Sequence, residues 1–265
     1  MEITEYLKLS QDEKIKYIKS IKKLNNNGKF QIYPHNYNPI IRCIETGLEF
    51  VFIPEGAYIR GFTEQEQLYA ERIDDYVNAN YNEMRPTMKM TVENFLVTRF
   101  PVLNKFASNY VTMPSKGEDM YPAFLKKGEV DYICTKCDLR LATETEWEYF
   151  ARAGKNDLFP FGNELPTDEE LEKWLSLDFG SSSYMNCNKL GIYGIFTGEW
   201  CADLFKQTYD SKQKMEDVYT VRGGGALFWP WQDSGEWVWC MSSIRMPSTD
   251  LLDEQQCGFR LVYDI

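Results

Sequence analysis

Ile15, Ile18, Ile21 and Leu24 recur at near-helical intervals along residues 10–24, set between lysines at 14, 16, 19, 22 and 23. The spacing predicts a short amphipathic helix. Ser10-Gln-Asp-Glu13 opens it with the pattern of a capping box, in which the serine hydroxyl takes the N3 amide and the glutamate takes the N-cap amide. Asn25-Asn-Asn-Gly28 closes it. The lysines read as a solvated face, with the apolar edge packed on the main body. Tyr33-Pro-His-Asn-Tyr-Asn-Pro39 reads as an irregular linker.

From Ile44 onward the apolar runs become short and β-like: Phe50–Ile53, Ala57–Ile59, Phe95–Val97, Tyr219–Val221 and Phe259–Val262, separated by Gly, Pro and charged loops. Helical periodicity is confined mainly to 64–82, a turn after Asn104, and Thr143–Arg152, where Thr143 is an N-cap with Glu146 at the reciprocal position. No period of 20–50 residues repeats. The pattern predicts an α+β fold with much irregular structure over residues 44–265, preceded by a helical N-terminal arm and linker over 1–43.

Composition narrows the chemistry. Lys and Arg number 29 against 40 Asp and Glu, a net charge of −11 that repels phosphate backbones, so nucleic acid is not an expected partner. The first residues lack the basic, apolar and small-residue zones of a signal peptide, and no run approaches the length of a membrane span, so a cytoplasmic protein is expected. With one histidine, His35, histidine metal triads and Ser-His-Asp or Cys-His nucleophile systems have at most one imidazole to use. Seven scattered cysteines do not make a disulfide framework.

Several segments, in order, resemble the formylglycine-generating enzyme (sulfatase-modifying factor) family, whose fold is a variant of the C-type-lectin fold. Phe50-Val-Phe-Ile-Pro-Glu-Gly-Ala-Tyr-Ile-Arg-Gly61 looks like its opening strand, and Glu93–Asn104 like its second strand and turn. Arg140-Leu-Ala-Thr-Glu-Thr-Glu-Trp-Glu-Tyr-Phe-Ala-Arg-Ala-Gly154 is the strongest match, followed by Phe159-Pro-Phe-Gly162. Asn188–Tyr193, Gly198-Glu-Trp-Cys-Ala-Asp203, Val221-Arg-Gly-Gly-Gly225 and Gly258-Phe-Arg-Leu-Val262 complete the series. Read physically, Trp147 and Tyr149 plug an aromatic core, Arg140, Glu146 and Arg152 form ion pairs, and the three glycines allow a backbone conformation or approach that other residues forbid.

The resemblance also implies a departure. Members that oxidise a sulfatase cysteine hold copper(I) on two cysteines placed three and eight residues beyond the Ser of a Gly-Gly-Ser motif; here Gly225 stands for the Ser, with Phe228 and Asp233 at the cysteine positions. The copper chemistry does not carry over. Gly194–Cys201 looks like a shortened form of the turn whose Asn helps bind calcium, and the three histidines of the iron-dependent sulfoxide synthases on this fold are missing. No cofactor is therefore expected.

Among the remaining candidates, Cys134-Thr-Lys-Cys137 reads as two helix-face cysteines in the core, Cys201 as a small buried hydrophobe, and His35 as a hydrogen-bonded linker residue. Asp168-Glu-Glu-Leu-Glu172 reads as an exposed helix start. Phe228, Trp229, Trp231, Trp237 and Trp239 fall within 12 residues, and on an extended strand the 229/231 and 237/239 pairs each share a face. The expected function is a non-catalytic recognition module for a protein or peptide partner or a small ligand, held at a pocket near Trp200, Phe228, Trp229, Trp231 and Arg245. The alternatives are an oxidase with thiolates relocated to Cys240 and Cys257, and a subunit of a larger assembly docked through the lysine-bearing arm.

Overall fold

Twelve short strands carry the frame of the computed structural model, which describes residues 1–265 apart from 26–27, 74–80, 113–117, 181–184, 228–235 and 251–255. In chain order they are β1 (Phe30–Tyr33), β2 (Ile40–Cys43), β3 (Glu49–Ile53), β4 (Gly56–Arg60), β5 (Met88–Val92), β6 (Phe95–Thr98), β7 (Arg140–Leu141), β8 (Glu199–Leu204), β9 (Tyr219–Arg222), β10 (Arg245–Pro247), β11 (Gly258–Phe259) and β12 (Leu261–Asp264). The helices are α1 (Ile3–Tyr6), α2 (Gln11–Ser20), α3 (Lys22–Asn25), α4 (Glu64–Ile73), α5 (Asn104–Ala107), α6 (Lys127–Cys137), α7 (Glu144–Arg152) and α8 (Asp168–Leu175).

The large sheet is antiparallel, in the order β1-β2-β3-β6-β12-β7. Its central strands are apolar on both faces because both faces are covered. Phe50, Phe52 and Leu96 point to one side and meet Tyr6, Ile18 and Leu24 of the N-terminal helices; Val51, Ile53, Val97 and Val262 point to the other and meet Trp147 and Tyr149 of α7. A smaller sheet runs β10-β9-β8-β11, with β11 parallel to β8, and β4 pairs β5 in a separate ribbon. Between the sheets a second apolar cluster joins Trp200, Val221, Met246 and Phe259 to Val130 and Ile133 of α6. Each strand expected from the sequence is present, with Phe259–Val262 divided at Arg260.

The N-terminal helix starts on the expected capping box, both halves of which form, but it ends at Ser20, where Ile21 turns extended before α3. Ile18 and Leu24 are buried; Lys14, on the face expected to be solvated, is buried too, its Nζ donating to the Tyr37 carbonyl at 3.1 Å and lying 5.4 Å from the Tyr6 ring. The edge strand β1 and its neighbour β2 come from the stretch read as arm and linker. Their alternation is only four residues long and is flanked by Asn, Pro and Gly, which masks it in the sequence. Two helices, α6 and α8, add to the three main helical regions; α8 opens on a Thr167–Glu170 capping box.

Candidate aromatic recognition site

The site grows from α7. Thr143 caps the helix, its hydroxyl accepting from the Glu146 amide at 3.1 Å, while Glu146 accepts from the Thr143 amide at 2.8 Å. That cap fixes the rotation of the helix, which turns Trp147 and Glu148 into the interior. Trp147 Nε1 donates to Glu199 Oε2 at 2.9 Å, and the same carboxylate accepts from Arg260 Nε at 2.8 and 3.0 Å. Arg260 lies at the residue where the chain passes from the small sheet to the large one, and it also donates to the carbonyls of Thr98, Arg99 and Tyr193. Glu148 accepts from Arg152 Nε at 2.9 Å, Arg222 Nη2 at 2.6 Å and the Gly61 amide at 2.8 Å. Burial alone would raise the Glu148 carboxyl, but Arg152 and Arg222 outweigh it and hold it below the ordinary range. At Glu199 burial wins over Arg260 and the carboxyl is raised.

This charged framework supports the glycine turn. Gly223 has φ +68°, and a Cβ there would overlap the Ile195 carbonyl and meet Trp147 Cζ2 at 2.6 Å, so only glycine fits. A Cβ at Gly225 would lie 2.5 Å from Cys240 Sγ and 3.1 Å from Leu175 Cδ2. The turn continues as a short 3-10 segment, Gly224–Leu227, whose Ala226 amide donates to the Phe196 carbonyl at 2.7 Å; the next described segment is Glu236–Cys240, also 3-10.

Both ends of the 228–235 segment thus attach beside an aromatic cluster. Phe161 stacks on Phe159 with centroids 4.8 Å apart and meets Trp174 at 5.4 Å and Phe196 at 6.0 Å; Trp174 meets Phe196 at 5.8 Å, and Trp237 packs edge-on against Phe159. Phe159, Phe196 and Trp237 are buried, whereas Phe161 and Trp174 are half-buried and form a shelf at the margin of the cluster. Rigid aromatic area of this kind, apolar with one N–H donor, is what protein interfaces use as anchors.

Residues 105–265 match the profile of the Sulfatase-modifying factor enzyme 1-like domain. The chain belongs to this family. PvdO from Pseudomonas aeruginosa shares the fold at a TM-score of 0.58 and 18% identity, over 85% of this chain and 98% of that one. Variable protein 1 of Treponema denticola does so at 0.55 and 15%, over 89% and 99%. No curated protein matches.

Within this sulfatase-modifying-factor frame the expected site residues separate. Trp200 is interior, its Nε1 donating to the Leu125 carbonyl at 2.9 Å. Arg245 is interior too: it pairs with Glu144 at 2.9 Å, donates to the carbonyls of Glu83 and Lys206, and stacks on Phe205 and Tyr209. Phe228, Trp229 and Trp231 lie outside the described residues, as does Asp233. Trp237 and Trp239 do not share a strand face, because Glu236–Cys240 winds at about three residues per turn and sends Trp237 into the core. The sequence does not mark Phe161 and Trp174 as a surface: Phe159-Pro-Phe-Gly162 registers as a family motif, and Trp174 sits in a helix dominated by acidic residues. The usable signal was Leu171, Trp174 and Leu175 on one face of that helix.

The thiols are dispersed. Cys240 belongs to the core around α7 and Cys257 to the cluster between the sheets; both are fully buried, and burial pushes both thiols up. Cys201 and Cys134 are buried, and Cys137 is half-buried beside Tyr110. His35 meets Arg99, with Nε2 3.0 Å from Nη2. Among the described residues no three His, Cys, Asp or Glu side chains converge as metal ligands.

Proposed function

We propose that the chain is a non-catalytic recognition module on a sulfatase-modifying-factor scaffold. It binds a protein or peptide partner on the shelf of Phe161 and Trp174, with Phe228, Trp229 and Trp231 contributing from the adjoining segment. The observation that carries this reading is the half-buried pair Phe161 and Trp174 beside the ends of a tryptophan-rich segment. Phe228 and Asp233, standing where copper-binding members carry cysteines, support it, as does the burial of Cys240 and Cys257 in separate clusters.

The test is selection of binders from a displayed random-peptide library, followed by affinity measurement on Phe161→Ala, Trp174→Ala, Trp229→Ala and Trp231→Ala. Truncating an anchor should cost about 2 kcal/mol, roughly a 30-fold loss. Unchanged affinity in all four variants would reject the site. Tight copper(I) binding by the reduced protein, with cysteine-dependent oxygen consumption on thiol peptides, would reject the non-catalytic assignment.

A further inference from the structure

A second concave surface shares no residue with the aromatic shelf. It is a groove of about 690 Å³ between the β2–β3 turn and α5, within the usual size range of small-molecule sites. Its lining is mainly apolar, with Leu48, Phe100, Val102, Leu103 and Phe106 set beside the polar Thr46, Glu49, Thr98 and Asn109. Two cations, Arg42 and Lys105, stand on its rim, both exposed.

The state of Arg42 is unusual for this chain. Carboxylates outnumber cations 40 to 29, and every other arginine has a hydrogen bond, an ion pair or an aromatic ring. Among the described residues, Arg42 has none of these, and Lys105 has no ion pair. The natural partner of Arg42 is Glu49, directly opposite it in the β2–β3 register. The Glu49 carboxylate instead pairs with Arg99 Nη1 at 3.2 Å, so it lines the groove already neutralised and leaves Arg42 uncompensated. The groove therefore combines an apolar bed with a positive rim on a strongly acidic protein.

We propose that this groove binds a small organic anion: a carboxylate received by Arg42 and Lys105, on an apolar body that covers Leu48, Val102 and Phe106. Arg42 supplies the planar fork that matches a carboxylate, and Lys105 a mobile point charge. The apolar floor selects against small hydrophilic anions, which gain nothing by leaving water.

The experiment uses three probes with one apolar body, 4-phenylbutyrate, 4-phenylbutanol and 4-phenylbutylammonium, titrated into the intact protein by ligand-observed NMR and calorimetry. The carboxylate should bind at least about tenfold tighter than the alcohol, as expected when a charge-assisted hydrogen bond is added, and the ammonium should bind weakest. In the Arg42→Gln/Lys105→Gln variant the carboxylate-to-alcohol ratio should fall to about one while the alcohol still binds, so the alcohol reports that the groove remains intact. If the alcohol loses binding as well, the single variants Arg42→Lys and Lys105→Arg, which keep the charge, should restore the ratio. Equal affinity for carboxylate and alcohol in the unaltered protein would overturn the proposal, as would a ratio insensitive to both substitutions. An octapeptide of alternating Glu and Leu binding tenfold tighter than 4-phenylbutyrate would assign the groove to polypeptide and overturn it too.

Discussion

Glu148→Gln removes one negative charge from a site that holds two guanidiniums. The carboxylate is fully buried and accepts from Arg152, Arg222 and the Gly61 amide at 2.6–2.9 Å. Arg152 retains Glu66 at 2.9 Å, but Arg222 keeps only carbonyls and the Tyr209 hydroxyl. The amide is nearly isosteric, so the loss is electrostatic: one uncompensated buried cation, plus an NH₂ facing donors. Removing one partner of a buried pair costs about 3–5 kcal/mol, which for a chain of this size lowers the melting temperature by about 10 °C. Urea unfolding followed by tryptophan fluorescence measures it, with Glu169→Gln, which breaks only the exposed Lys173–Glu169 pair, as the control expected within about 0.5 kcal/mol. A loss under about 1 kcal/mol for Glu148→Gln would refute the view that this network clamps α7 to β9 and to the end of β4.

Gly225→Ser drives a Cβ toward Cys240 Sγ; it should destabilise the chain, and Cys240→Ala should relieve it, with a coupling of about 1–2 kcal/mol in a double-mutant cycle by urea unfolding. Additive effects would show that the two positions do not compete for space. A thiol reagent should titrate rapidly at most Cys137 and Cys187 in the native protein, and all seven cysteines after denaturation. Rapid native reaction of Cys240 or Cys257, located by peptide mapping, would contradict their burial. The carboxyl of Glu148 is held below its unfolded value against burial by Arg152 and Arg222, and that of Asp264 by hydrogen bonds from Arg140. Stability from these groups is present above the unfolded range and lost as pH falls below about 4. Glu66, raised by burial, has the opposite sign and gives its share at low pH. The urea midpoint measured from pH 7 to 3 should therefore drop more steeply for the unaltered chain than for Glu148→Gln; parallel curves would refute the assignment.

What could be read from the sequence was what depends on local pattern or on motif order. The Thr143 and Ser10 caps, the strand at Phe50–Ile53 and the burial of Trp147, Tyr149 and Cys201 follow from spacing and side-chain chemistry. Strands β1 and β2 are hidden because four residues are too few to display an alternation and Asn, Pro and Gly flank them. Trp200 and Arg245 looked available because tryptophan and arginine are common at binding surfaces; their interior hydrogen bonds to Leu125, Glu83 and Lys206 arise only when distant segments meet. Trp174 was overlooked for the converse reason, since acidic neighbours on three sides of α8 conceal a single aromatic on its fourth.

The place of β12 carries a consequence for synthesis. Leu261–Asp264 is inserted between β6 and β7, both made more than a hundred residues earlier, so the large sheet stays open at its middle until that segment has left the ribosome. During that interval the apolar edge of β6, Phe95–Thr98, all buried in the finished protein, is free to pair with any passing strand. A nascent chain stalled before residue 261 should thus be a substrate for holding chaperones, and one released after residue 264 should not.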